Sequence, residues 1–226
     1  MALLREFGAY LARPRLMQPS GFAAWRTMLA LLAFHLVVLL VVLSPLLQFW
    51  QSAMGLPAPE AFGAVSKGWL VPLVVVIAPL GEEIVFRGWL TGRMRALWLL
   101  ACALIAGALL AMVNYHVWEI PASFGVLAMG LIAPGGWWWL RRRGVPQWFV
   151  AAFPALFWLS VLIFGLSHLT NYPRISWALV PMVLPQLWTG MLLSYTRLRI
   201  GLPASMLIHA VANAAALSLA LLVGGL

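Results

Sequence analysis

Long apolar stretches, each near the roughly 20 residues that a helix needs to cross a bilayer, alternate with short polar, glycine- or proline-bearing joints. Seven are recognised: approximately Thr27 to Trp50, Gly68 to Arg87, Ala96 to Val117, Pro121 to Leu140, Trp148 to Tyr172, Ile175 to Thr196 and Leu202 to Leu226. Runs such as Leu36 to Val42 and Leu70 to Ala78 are apolar without alternation, which excludes a lipid-facing barrel. Backbone groups in lipid must satisfy one another, so these runs are helices. The predicted fold is an all-α, polytopic transmembrane helical bundle of about seven spans. It is read as one membrane-embedded domain over residues 1–226, with no joint long enough for a soluble domain.

Residues 1–24 precede the first span. Leu4, Phe7 and Leu11 share a helical face there, with Arg5, Arg13 and Arg15 nearby. That pattern suits a short helix on the membrane surface; a frayed basic tail fits it equally. The first apolar run exceeds a signal-peptide core and lacks a small-x-small exit, so it is read as a retained span.

Composition agrees. Hydrophobic residues are 64% of the chain and charged residues 8%, against about 25% charged in soluble domains. The net charge of +9 does not imply nucleic acid, because the basic residues form short clusters between apolar runs rather than a continuous face. Arg5, Arg13, Arg15 and Arg26, then Arg93 and Arg95, then Arg141 to Arg143, then Arg197 and Arg199, all fall on one side if the spans alternate. Only Lys67 and Arg174 fall on the other. The positive-inside bias places the N-terminus in the cytoplasm and the C-terminus outside. Trp118, Trp137 to Trp139, Trp148 and Trp177 lie near proposed span ends, where aromatic belts are expected. The arginine-rich usage suggests a GC-rich genome and a prokaryotic inner membrane. Cys102 is the only cysteine, which rules out a disulfide framework or cysteine metal site.

All five acidic residues are glutamates, and Glu82 and Glu83 are adjacent inside an apolar run. A charge at the bilayer centre costs about 2.5–3.5 kcal/mol on insertion scales, so such residues are functional candidates by default. Glu83 and Arg87 stand at i and i+4, acid first, the favoured order for an ion pair. Glu82 points about 100° away and has no local cation; a buried carboxylate without a partner is suited to proton exchange near neutrality. A purely structural pair is disfavoured, since the second carboxylate adds cost without a counter-charge. Phe164 and His168 form a second i, i+4 pair, and His209 and Asn213 a third. Each pair shares one helix face, and Gly165, Ser167, Ala210 and Ala212 are small enough to let helices pack closely.

Glu82-Glu83-x-x-x-Arg87, Phe164-x-x-x-His168 and His209-x-x-x-Asn213, in that order, resemble the CPBP family of CAAX proteases and bacteriocin-processing enzymes, which includes type II CAAX prenyl endopeptidases. The resemblance covers roughly Leu70 to the C-terminus. It implies an intramembrane endopeptidase in which Glu82 and His168 hold and activate water. His209 and Asn213 would donate to the oxyanion, and Glu83 and Arg87, with Phe164, would support the site. Peptide or lipidated-protein substrates and the bilayer are the implied partners. Glu82, His168 and His209 would also be the three ligands of a catalytic zinc with an open position, although no compact spacing such as H-E-x-x-H is present; the reading without a metal is preferred.

The spacing departs from the family. Here 85 positions separate Glu83 from His168, against a single turn-back in the family, and the excess holds the two spans between Ala96 and Leu140. An even number of inserted spans preserves the direction of the later spans. At 1.5 Å per residue, Glu82 lies about 16 Å from Arg93 and His209 about 15 Å from Arg199, whereas His168 would lie about 30 Å from Trp148. A helix starting at Pro154 would bring His168 to about 21 Å, so Trp148 to Phe153 is expected along the interface or in a separate turn. His35 is read as a packing or hydrogen-bonding residue. Asn114, His116 and Glu119 form a loose polar group near the outer surface, and Pro72, Pro79, Pro181 and Pro185 are expected to kink helices. The rival functions are a proton-coupled transporter or channel, whose polar residues would string across the membrane, and a catalytically silent scaffold.

Overall fold

Each apolar stretch folds as a helix long enough to cross a membrane in the computed structural model, which describes residues 2–60 and 65–222. The spans are Trp25–Ala53, Gly68–Arg87, Met94–Asn114, Glu119–Leu140, Gln147–Asn171, Trp177–Arg199 and Leu202–Leu222. No strand occurs among the described residues, so the chain is an all-α polytopic membrane protein.

Two spans change register midway. The first is helix α2 (Trp25–Leu36), a π-helical stretch over Val37–Leu43, and α3 (Ser44–Ala53). The second is α4 (Lys67–Val71), a π-helical stretch over Pro72–Ile77, and α5 (Ala78–Arg87). Each π stretch ends just before a Ser-Pro or Ala-Pro step, at Pro45 and Pro79. Proline offers no N–H and its ring crowds the carbonyl four residues back, so the helix upstream widens instead of breaking. The remaining helices are α6 (Met94–Asn114), α7 (Glu119–Leu140), α8 (Gln147–Ser167), α9 (Leu184–Arg199) and α10 (Leu202–Leu222). Pro181 lies in a 3₁₀ stretch over Trp177–Val183, and Pro185 in the first turn of α9, where its missing N–H costs nothing.

The expected interfacial or separate turn at Trp148 to Phe153 is not formed. α8 begins at Gln147 and runs through Pro154 without a break. The helix accommodates Pro154 internally, so no separate segment precedes it.

At the N-terminus, α1 (Ala2–Ala12) is neither frayed nor free. Phe7 and Tyr10 are buried, while Leu4 is 41% exposed, so the inward face is rotated from the one expected. Phe7 packs edge-on to Phe34 and Trp188 and tilts against Tyr195, and Tyr10 meets Phe157 and Tyr195. The Tyr10 hydroxyl donates to the Arg15 carbonyl at 3.1 Å. Glu6 pairs with Arg199 at 3.0 Å.

The chain forms two compact units. One comprises the residues up to Arg87 together with those from Phe153 onward, and it contains every candidate catalytic residue. The other is Gly88–Ala152. In it, α6 and α7 form a hairpin whose helices are apolar all round and largely uncovered by protein, as lipid-facing helices must be. Trp98 reaches across to donate Nε1–H to the Ala133 carbonyl at 3.1 Å. Arg141 stacks 3.5 Å above the Trp138 ring. At the turn, His116 and Trp118 adopt positive φ (57° and 51°), and His116 Nδ1 pairs with the Glu119 carboxylate.

Candidate active site

Helix α5 ends at Arg87, leaving its last carbonyls without intrahelical donors. Ser160 Oγ from α8 donates to the Phe86 carbonyl at 2.8 Å, and Arg197 Nε from α9 donates to the Arg87 carbonyl at 3.2 Å. The end of the glutamate helix is thus capped by its two neighbours. Gly165 lets α8 approach α9: a Cβ there would lie 2.3 Å from Cδ2 and 2.6 Å from Cγ of Leu187.

Glu83 and Arg87 are fully buried and bonded through Oε1 and Nη1 at 2.8 Å, as their spacing predicts. The Arg87 guanidinium also lies flat over Phe164, 3.8 Å from the ring centre. Phe164 is the hub of the site. Its ring centre is 5.1 Å from that of Phe86, 4.9 Å from His168 and 6.1 Å from His209. The aromatic and basic members of the three motifs therefore touch in one place.

His209 lies between the two glutamates. Its Nδ1 is 3.1 Å from Glu83 Oε1 and its Nε2 is 3.7 Å from Glu82 Oε2. The first is a hydrogen bond; the second is an ion-pair distance too long for one. Glu82 keeps 30% of its side chain accessible, whereas Glu83 has none. The two adjacent carboxylates thus differ: Glu83 is enclosed by Arg87 and His209, and Glu82 faces accessible space beside His209.

His168 lies just past the end of α8, in a 3₁₀ turn over His168–Asn171. Its Nδ1 is 2.7 Å from the Phe164 carbonyl. A carbonyl only accepts, so Nδ1 carries a proton, and the tautomer this contact selects would leave Nε2 as the nitrogen able to accept one. Asn213 Nδ2 donates to the Val74 carbonyl in the π-helical stretch at 2.9 Å.

The three motifs, separate in sequence, meet within one unit. Two contacts were not foreseen: Glu83 to His209, and Asn213 to Val74. Neither has a local sequence signal, because 126 and 139 positions separate the partners. His35 is fully buried, stacked 6.4 Å from the Trp188 ring, and among the described residues neither of its ring nitrogens has a hydrogen-bond partner. It fits the packing role and not the hydrogen-bonding one.

Among the described residues, no three histidine, cysteine or carboxylate side chains stand where they share an ion. Glu82, His168 and His209 as arranged here do not make the ligand set considered for zinc.

The chain matches the family described as type II CAAX prenyl endopeptidase Rce1-like, over residues 64–146 and 137–215. It belongs to that family. The first matched segment contains Glu82, Glu83 and Arg87, and the second contains Phe164, His168, His209 and Asn213. Membership makes the chain an integral membrane protein of a CAAX-type intramembrane protease family. No curated protein and no solved structure matches it.

Proposed function

We propose that this chain is an intramembrane endopeptidase that hydrolyses a peptide bond with water activated by Glu82 and His168. The observation that carries the reading is His209 held between Glu82 and Glu83, with His168 joined to the same cluster through Phe164. A proton relay would spread such groups along the membrane normal, and a silent scaffold has no need to gather them.

The donors and acceptors available set the chemistry. The free Nε2 of His168 or the accessible carboxylate of Glu82 takes a proton from water as its oxygen attacks the scissile carbonyl carbon. The C=O π electrons move to oxygen, giving a tetrahedral oxyanion. His209, with Nδ1–H given to Glu83, donates from Nε2 when the ring carries both protons. Asn213 has a second amide hydrogen beyond the one bonded to Val74. Fixed donors of this kind are each worth about 3–4 kcal/mol in acyl transfer. Collapse of the intermediate breaks the C–N bond, and the amine leaves with the proton first taken from water. Glu83, Arg87 and Phe164 hold the cluster in place.

The substrate class is a peptide or lipidated protein: a prenylated tail, a bacteriocin-like leader or a membrane signalling protein. The arginine asymmetry supports a cytoplasmic N-terminus, with the site reached from that side or laterally from lipid.

Cleavage of a fluorogenic peptide library by the purified protein in nanodiscs tests the reading. Wild type is compared with Glu82→Ala and His168→Ala, each with and without chelator. The expected result is cleavage lost in both variants. Equal cleavage in the variants would overturn the assignment, and chelator sensitivity would report on a metal.

A further inference from the structure

The Val74 carbonyl is an unusual partner for Asn213, because a carbonyl inside a helix is normally taken by its own backbone. Two backbone positions lie within reach of it along the helix. The N–H four residues on belongs to Ala78, and it donates to Leu73 instead, five residues back, in the π register. The position five residues on is Pro79, which has no N–H. Both local donors are therefore unavailable, and the carbonyl is left for a side chain. Asn213 Nδ2 fills it at 2.9 Å from another helix, 139 positions away.

That bond fixes the carboxamide. Since the carbonyl can only accept, the amide nitrogen must face Val74. One amide hydrogen is then committed and the other has a defined direction, as a preorganised donor requires. We propose that Pro79 is a positioning residue: by withholding its N–H it frees the Val74 carbonyl to orient the Asn213 carboxamide. Its role in turnover rests on the peptidase reading above; its role in orienting Asn213 does not. Among the described residues, the two widened stretches each end one residue short of a proline, and in the second the freed carbonyl meets a residue of the third motif.

Pro79→Ala supplies the missing N–H and favours the helix, so loss of folding is not the expected outcome. The protein contains three asparagines, Asn114, Asn171 and Asn213. Selective ¹⁵N-asparagine labelling therefore gives three side-chain amide pairs by NMR in nanodiscs, and Asn213→Ala identifies the relevant one. In wild type, the two Asn213 amide protons should be widely separated, with one slow to exchange. In Pro79→Ala they should converge and exchange faster, with the melting temperature unchanged or raised. Unmoved Asn213 signals would overturn the proposal whether or not the protein cleaves peptides. With cleavage established, kcat in Pro79→Ala should fall about tenfold or more at unchanged KM. Full kcat despite a released carboxamide would overturn the role in turnover. If wild type cleaves nothing, the peptidase reading fails and the NMR signals still decide the positioning.

Discussion

Arg87 lies flat on Phe164, with its guanidinium carbon 3.8 Å from the ring centre. The contact ties the first motif to the second while both side chains are buried. Only Nη1 of the guanidinium has a hydrogen-bonded partner among the described residues, so the aromatic face is a main part of its surroundings. Arg87→Lys keeps the charge but loses the planar stack. A desolvated cation–π contact is worth about 2 kcal/mol. Thermal unfolding in detergent should show Arg87→Lys destabilised by about that amount, and an unchanged melting temperature would refute it.

Glu82 and Glu83 should separate in their effects. Glu83→Gln leaves the Arg87 charge buried without its counter-ion, a loss of about 3–5 kcal/mol, and weakens the hold on His209 Nδ1. Its melting temperature should fall steeply. Glu82→Gln removes a partly accessible carboxylate whose ion-pair partner among the described residues, His209 Nε2, is 3.7 Å away, so cleavage should vanish with little change in melting. Paired unfolding and cleavage assays check both, and the reverse pattern would exchange the two roles.

Gly165 is a packing requirement. Gly165→Ala places a methyl within 2.3 Å of Leu187, and such overpacking costs about 1–3 kcal/mol. The double variant Gly165→Ala with Leu187→Ala should recover much of that loss. A double-mutant cycle in unfolding measures the coupling; additive losses would mean that the helices do not meet there.

Tyr10 provides a pH signature outside the spans. Burial pushes its phenol above the ordinary value, with the Arg15 contacts opposing this in part. The folded pKa is raised, so the associated stability is fully present below the unfolded value of about 10. It is lost as pH rises from there toward the folded value. Tyr10→Phe should lose about 1 kcal/mol near neutrality with its hydrogen bond and show a flatter decline in melting temperature above pH 10. Parallel declines in the two proteins would show that Tyr10 does not set this dependence.

Long apolar runs and the exclusion of charge from them determined the class, the seven spans and most of their ends, because lipid demands helices of a fixed minimum length. The i, i+4 spacing determined the Glu83–Arg87 bond, since both partners lie on one helix and need no other. The same spacing put Phe164 with His168, and the order of the motifs pointed to the family that the chain belongs to. Tertiary structure decided the rest. Only the meeting of α5 with α10 sets His209 between the two carboxylates and divides them into an enclosed Glu83 and an accessible Glu82. The inward face of α1 turned toward Phe7 and Tyr10 because the aromatic rings of Phe34, Phe157, Trp188 and Tyr195 were there to receive them. The sequence contained Pro79 in plain view, but which side chain would take the carbonyl it frees depended on which helix packed alongside. Local bonds follow from spacing along one helix; contacts between helices depend on packing that no short stretch of sequence specifies.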